Sequence, residues 1–327
     1  MHNVTILGYE HAYASAITGA LDIFALAGVT WQRMQGKPPE RIFNVQLASV
    51  GKRDIECINH LTLKSQVAIE DVDQTDILII PTIGGKLEEV LSANRNLLPF
   101  LQYFNSKGTD IASNCSGAFF LAEAGILNNK KATTHWGYAE TFAKRYPQVD
   151  LLSNKLITQD GNIYCSGGGM AWFDLALLLI ERYCGHDVAT NTAKAHVLDI
   201  SRGNQAAYAQ LRSKKYHQDA EILRAQEWLE SNYHQPISLD QLANQVSLTN
   251  RTFLRRFKIA TEQTPFSYLQ SIRVEAAKKL LETENSSLEA IVTKVGYEDP
   301  RSFTRLFNSL TGLSPSQYRK KFFRTYS

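Results

Sequence analysis

Two stretches decide how this chain is read: LTNRTFLRRFKIATEQTPFSY at 248–268 and EDPRSFTRLFNSLTGLSPSQY at 298–318. Moved by 50 positions, the first falls on the second. Phe253 meets Phe303, Phe257 meets Phe307, Thr261 meets Thr311, Pro265 meets Pro315 and Tyr268 meets Tyr318. Upstream the offset is 49, pairing Leu239 with Leu288, Leu242 with Ile291 and Val246 with Val295. The one-residue change falls in a turn, where length is tolerated. An internal repeat fixes the architecture before any single motif does.

Each copy has the same local logic. Ser238 is placed to cap a short helix, with Gln241 completing a capping box. Leu239, Leu242, Ala243 and Val246 make one apolar helical face. A tight turn follows, at Ser247 in the first copy and Gly296 in the second. A second helix then starts; in the later copy Asp299 sits at its N-cap and Pro300 at its first position. Phe253 and Phe257, four apart, bury together, as do Phe303 and Phe307. Thr264-Pro265 and Ser314-Pro315 open the next helices. The unit is a helix-turn-helix.

At 100° per residue, Arg251 and Arg255 point away from the phenylalanines, and Arg301 and Arg305 repeat them. Arginine grips guanine edges or phosphates with paired hydrogen bonds. One such helix is equally well a solvated basic face; two with matched spacing favour nucleic acid.

The phrases VGYEDPRSFTRLFNSLTGLSPSQYRKKF and LTNRTFLRRF resemble the AraC/XylS DNA-binding domain over about the last 100 residues. The resemblance implies two helix-turn-helix units joined by a long helix at 265–282. Their second helices would enter successive major-groove segments of double-stranded DNA, about 34 Å apart. Its base-reading places fall on Arg251, Leu254 and Arg255, then on Arg301, Ser302 and Arg305, with Asn250 and Thr304 beside them. Leu254 stands where a polar residue is common and would read a thymine methyl or nothing.

At 327 residues the chain exceeds one comfortable core. Residues 221–327 hold 15 Lys and Arg against 11 Asp and Glu, a net +4; residues 1–220 hold 20 against 21, a net −1. The positive excess lies with the DNA signal. Residues 1–8 lack a signal-peptide pattern, and no apolar run reaches the ~18 residues of a membrane span. Four cysteines, at 57, 115, 165 and 184, show neither metal spacing nor a disulfide framework. A cytoplasmic protein with no metal, cofactor or membrane partner is expected.

Residues 1 to about 200 alternate short strands (4–7, 44–48, 77–80, 110–113) with helical stretches (16–27, 87–105, 118–124). That order predicts an α/β domain, a parallel sheet with helices on both faces. Ligands of such sheets sit beyond the carboxyl ends of the strands. In DIASNCSGAFFLAEAG, Cys115 stands at a strand-to-helix corner with small Ser113 and Gly117 on either side, as a nucleophile elbow needs. A helix N-terminus favours thiolate there; a buried cysteine acting as a small hydrophobe is the alternative. His135 and Trp136 follow in KKATTHWGY. Gly167, Gly168 and Gly169 turn a hairpin strand into a helix and either cradle a ligand or allow close packing.

CSGAFFLAEAGIL, KKATTHW and DLALLLIERYCG resemble the PfpI-like, class I glutamine-amidotransferase-like superfamily, nearest its GlxA-like regulator branch, over residues 1–205. The resemblance places the superfamily's cysteine on Cys115 and its histidine on His135. The supporting acid of related hydrolases would fall at residue 16, which is Ala16. The usual Pro-Gly-Gly reads Pro81-Thr82-Ile83-Gly84-Gly85, which displaces or alters the oxyanion donors. A nucleophile needs base, orienting group and oxyanion hole together. The expectation is therefore a degenerate site in which Cys115, Ser116, His135, Trp136, Gly84, Gly85 and Gly168 bind a small effector.

The domains expected are a sensor at 1–205, a polar linker at 206–220 carrying Lys214-Lys215, and an all-α DNA-binding domain with two helix-turn-helix motifs at 221–327. Asp219 would cap its first helix. The whole reads as a transcription regulator, an activator by resemblance, answering a nitrogenous metabolite. The resemblance implies a homodimer and contact with RNA polymerase. The other readings are a Cys115-dependent amidase or glyoxalase-like enzyme and a Cys115 redox sensor.

Overall fold

The computed structural model describes residues 1–199, 203–209 and 217–323. The chain divides into two compact units, Met1–Gln205 and Ala206–Ser327.

In the first unit the strands are β1 (His2–Leu7), β2 (Phe43–Ser49), β3 (Ile55–Glu56), β4 (Thr62–Leu63), β5 (Val67–Ala68), β6 (Ile77–Ile80), β7 (Asp110–Asn114), β8 (Lys131–Ala132), β9 (Asp150–Leu151), β10 (Ile157–Asp160) and β11 (Ile163–Ser166). Seven of them form one sheet in the order β10-β11-β7-β6-β1-β2-β5. All its pairings are parallel except the β10–β11 hairpin. Strands β6 and β7 are buried at every residue. Central parallel strands are covered on both faces, so they read as continuous apolar or small-residue runs.

The helices are α1 (Ala14–Leu26), α2 (Thr30–Met34), α3 (Leu87–Ala93), α4 (Leu98–Ser106), α5 (Ala118–Glu123), α6 (Ala139–Arg145), α7 (Trp172–Cys184) and α8 (His186–Ala195). Helices α1, α7 and α8 pack as one group, and α4 and α5 as another, with β7 touching both. The stretch 87–105, read as one helix, is two. It breaks at Asn94, whose Nδ2 donates back to Val90 O at 2.9 Å, and a 3-10 turn at Arg95–Leu97 leads to Pro99 in the first turn of α4. Proline lacks the N–H that an uninterrupted helix would need there.

The second unit holds α9 (Ala220–Asn232), α10 (Leu239–Gln245), α11 (Asn250–Thr261), α12 (Pro265–Thr283), α13 (Leu288–Lys294), α14 (Pro300–Thr311) and α15 (Pro315–Phe322). It has two cores. Leu229, Leu242, Phe253, Phe257 and Tyr268 form one. Val274, Leu281, Ile291, Phe303, Phe307 and Tyr318 form the other. Helix α12 runs through both, giving Ile272 to the first and Val274 to the second. Asp219 caps α9 by accepting from Ile222 N–H, and the Ser238–Gln241 capping box is present in full.

Ala206–Tyr208, at the start of the expected linker, is a 3-10 turn packed in the second unit, with Ala207 only 3% exposed. Lys214 and Lys215 lie outside the described residues. Among the described residues no helix is long and apolar enough to cross a membrane.

Candidate nucleic-acid interface and small-molecule cavity

Helices α11 and α14 are built alike. The Thr249 hydroxyl accepts from Thr252 N–H at the start of α11, and Asp299 accepts from Arg301 and Ser302 N–H, both at 3.0 Å, at the start of α14. Phe253, Phe257, Phe303 and Phe307 are fully buried. Burying each side chain stabilises by ~1.5–3 kcal/mol, which fixes the rotation of each helix. Thr261 and Thr311 close the helices by donating to Phe257 O and Phe307 O at 2.7 and 2.8 Å.

With the phenylalanines buried, Arg251 and Arg255 face solvent on α11, and Arg301 and Arg305 on α14. Among the described residues no protein side chain holds any of these four guanidinium groups. Leu254 is 37% exposed between its two arginines, and Ser302 is exposed. Asn250 is exposed, with Nδ2 held by Asp240 at 2.5 Å. Thr304 is half-buried, and its hydroxyl donates to Pro300 O at 2.8 Å within α14.

Arg256, which sequence reasoning left unassigned, has a different task. Its guanidinium bonds Asp219 at 2.5 Å and Glu221 at 2.6 Å, fastening α11 to the start of α9. Both carboxyls are held below their ordinary range by the hydrogen bonds from Arg256. The repeat contained the signal: Leu306 stands at the matching position and packs against the second core.

In the first unit, β7 ends at Asn114, and Cys115 turns the corner with φ +57°, a strained value for a residue with a side chain. Gly117 is required, because a Cβ there would stand 2.6 Å from Pro81 O. Thr134 Oγ1 donates to Cys115 O at 2.8 Å, and Asn114 Nδ2 donates to Thr82 Oγ1 at 2.6 Å. A cavity of about 320 Å³ opens at this corner. Cys115, Ser116, His135, Thr82 and Ile83 line it from the strand ends, with Gly169, Met170 and Trp172 beside them. Tyr13, Ser15, Ala16 and Tyr138 complete it.

The expected elbow is there, and of the two readings of its cysteine, burial favours the neutral thiol over the thiolate. Burial pushes the Cys115 thiol up, and hydrogen bonds from Gly169, Ser116 and Thr82 only partly oppose it. The dipole that was to favour thiolate is weak here, because Cys115–Gly117 is a 3-10 turn and α5 has only six residues. Burial outweighs it. The Ile83 N–H is taken by Ser116 Oγ at 3.0 Å and the Gly84 N–H by His11 O at 2.8 Å, so neither aims at the thiol. Among the described residues no acidic or basic side chain other than His135 lines the cavity, and Ala16, which the resemblance matches to the acid of related hydrolases, is part of its wall.

His135 Nδ1 accepts from Gly137 N–H at 2.9 Å, so the neutral ring carries its proton on Nε2. Four expected ligand residues, Gly84, Gly85, Trp136 and Gly168, lie outside the lining. Gly84 is pressed against His11 and Ile58, and Gly85 stands beside Ile58. Trp136 packs against His135, ring centroids 5.1 Å apart, outside the lining. Gly168 is small for a different reason than ligand contact: a Cβ there would reach 2.1 Å from His135 Cδ2. Its neighbour Gly169 lines the cavity instead. Tyr13 and Ser15 carry no motif that sequence reading could have used.

Residues 27–182 match the DJ-1/PfpI family, and residues 242–321 match a helix-turn-helix domain. CdhR of Pseudomonas aeruginosa, an HTH-type transcriptional regulator, is 27% identical over 262 residues, 80% of this chain and 77% of that protein. The isonitrile hydratase of Pseudomonas putida is 32% identical over 130 residues, 39% of this chain and 54% of the enzyme. A crystal structure of an AraC family transcriptional regulator from Pseudomonas putida shares the fold at a TM-score of 0.50 and 19% identity, over 59% of this chain and 98% of that one. The chain is thus a DJ-1/PfpI-type α/β domain followed by an AraC-type helix-turn-helix domain. GlxA of Rhizobium meliloti, another HTH-type transcriptional regulator, is 25% identical over 229 residues, 68% of this chain and 68% of that protein.

Proposed function

We propose that this chain activates transcription from a specific DNA site in response to a small nitrogenous metabolite bound beside Cys115 and His135. The observation that carries the DNA half is the repeated pair of outward arginines, Arg251 and Arg255 on α11 and Arg301 and Arg305 on α14. Each pair reaches one segment of major groove, and the long α12 between them sets the spacing. The chain acts as a homodimer on paired sites and contacts RNA polymerase.

The cavity supports the effector half. Its size suits a metabolite, and it offers the aromatic faces of Tyr13, Tyr138 and Trp172 to a cationic nitrogen. The acid-free lining and the protonated Cys115 weigh against nucleophilic catalysis. Selection of bound duplexes from random-sequence DNA, with and without candidate amines and amino acids, tests the reading. Recovery of one recurrent sequence, with occupancy altered by one such compound, is the expected result.

A second reading rests on the strained φ of Cys115, the elbow geometry of a nucleophile. The chain would then turn over a small substrate as well as bind DNA. Turnover of amides, glyoxals or isonitriles that disappears in Cys115→Ala would establish it.

A further inference from the structure

Gln205 is the last residue of the first unit and is 2% exposed. Its side-chain amide is fully occupied there. Oε1 accepts from Gly168 N–H at 3.0 Å. Nε2 donates to Thr134 O and Ser153 O, both at 2.8 Å. The site is shaped to it: a Cβ on Gly167 would stand 2.5 Å from Gln205 Oε1. A single amide supplies both the acceptor and the two donors that this arrangement uses. The groups it grips adjoin the cavity directly, since Thr134 precedes His135 and Gly168 precedes Gly169, and both followers line the cavity.

Two positions later the chain is anchored again, in the other unit. Ala207 is 3% exposed and packs in the core that holds Phe303 and Phe307, the inner face of α14. Lys278 Nζ, on α12, donates to Ala209 O at 2.5 Å, and the Tyr208 ring lies 5.3 Å from the Phe322 ring. One residue, Ala206, separates an anchor behind the cavity from an anchor behind a recognition helix. A single residue spans at most about 7 Å between its neighbours' Cα atoms, so slack at this point is small.

We propose that Gln205 is the positioning residue through which the cavity and the DNA-binding unit sense each other. A ligand that shifts the Thr134–His135 or Gly168–Gly169 segments shifts Gln205, and Ala206 transmits the pull to the core beneath α14. This rests on the regulator reading above. Coupling between sites is reciprocal, so DNA must in turn be felt at the cavity, and no effector is needed to detect it.

The test uses the full chain carrying Cys184→Ser, a duplex selected by the chain from random-sequence DNA, and iodoacetamide. Peptide mass spectrometry follows the modification rate of Cys115, with buried Cys57 and Cys165 reporting any general opening. Saturating duplex is expected to change the Cys115 rate about fivefold or more. Gln205→Ala should abolish the change while duplex affinity persists. A Gly-Gly insertion between Gln205 and Ala206 leaves both anchors intact and should abolish it too; this variant decides the matter if Gln205→Ala loosens the fold and exposes Cys57. An unchanged Cys115 rate in the parent, or a change that survives the insertion, overturns the proposal while leaving DNA binding standing. Failure of the full chain to select any duplex overturns both this proposal and the regulator reading.

Discussion

The Tyr318 hydroxyl donates to the Glu282 carboxylate at 2.5 Å, and the same bond recurs in the other copy, from Tyr268 to Glu230 at 2.7 Å. Helix α12 therefore serves the second helix-turn-helix as α9 serves the first. The duplication reaches back one helix further than the matching letters show. Each tyrosine ring is buried in its own core while its hydroxyl ties two helices.

Tyr318→Phe keeps the ring and removes the bond. It should cost ~1–2 kcal/mol, as expected for a hydrogen bond to a carboxylate at a partly exposed site. Hydrogen exchange should quicken in α14 and α15 and stay unchanged in α10 and α11. Tyr268→Phe should show the reverse pattern.

Ser247 and Gly296 occupy matching turns with φ +56° and +83°. Ser247→Gly relieves left-handed strain and should stabilise the first copy by ~0.5–1 kcal/mol, net of the added chain entropy. Gly296→Ser should destabilise the second by roughly 2 kcal/mol. A Cβ there would come within 2.9 Å of His234 O, a backbone atom, and of Arg273 Nη2, which would have to leave its bond to Gln235 O. Exchange rates of α10 and α13 amides measure both effects.

Arg255 and Arg256 are neighbours with opposite duties. Arg255→Ala should cost ~1–3 kcal/mol on the selected DNA site and leave stability alone. Arg256→Ala should weaken the α9–α11 contact and leave base preference alone. The Arg256 cluster also sets an acid limit. Asp219 and Glu221 have depressed folded-state values, so their contribution is complete above the ordinary carboxylate range of about 4. It is lost as pH falls through the lower folded values. Exchange in α9 should quicken over that acid range, and Arg256→Met should flatten the dependence.

Because burial raises the Cys115 thiol, its alkylation should be slow at pH 7 and accelerate well above pH 9, unlike a thiol activated for catalysis. A rate plateau below pH 7 would show a thiolate and restore the enzymatic reading.

Periodic and capping signals made much of the fold legible in the residues. Asp299-Pro300 and Ser238–Gln241 are local devices whose chemistry is complete within four residues, and they stand where sequence places them. The corner at Cys115 was equally readable, because Gly117 answers a steric need that recurs wherever a strand turns sharply into a helix. The cavity walls were not. Tyr13 and Ser15 reach the site from the start of α1, a long-range meeting with no periodicity to mark it. Gln205 sits in a polar stretch of linker-like composition; only the carbonyls that converge on it show that it is buried.

The most direct test of the central claim is the affinity of the chain for its selected duplex after five base pairs are inserted between the two segments protected by α11 and α14. Half a helical turn carries one segment to the opposite face of DNA. Affinity should fall to the level of random-sequence DNA, and Arg305→Ala should then add nothing. Undiminished affinity for the lengthened duplex would contradict two arginine-bearing helices reading adjacent grooves from one side.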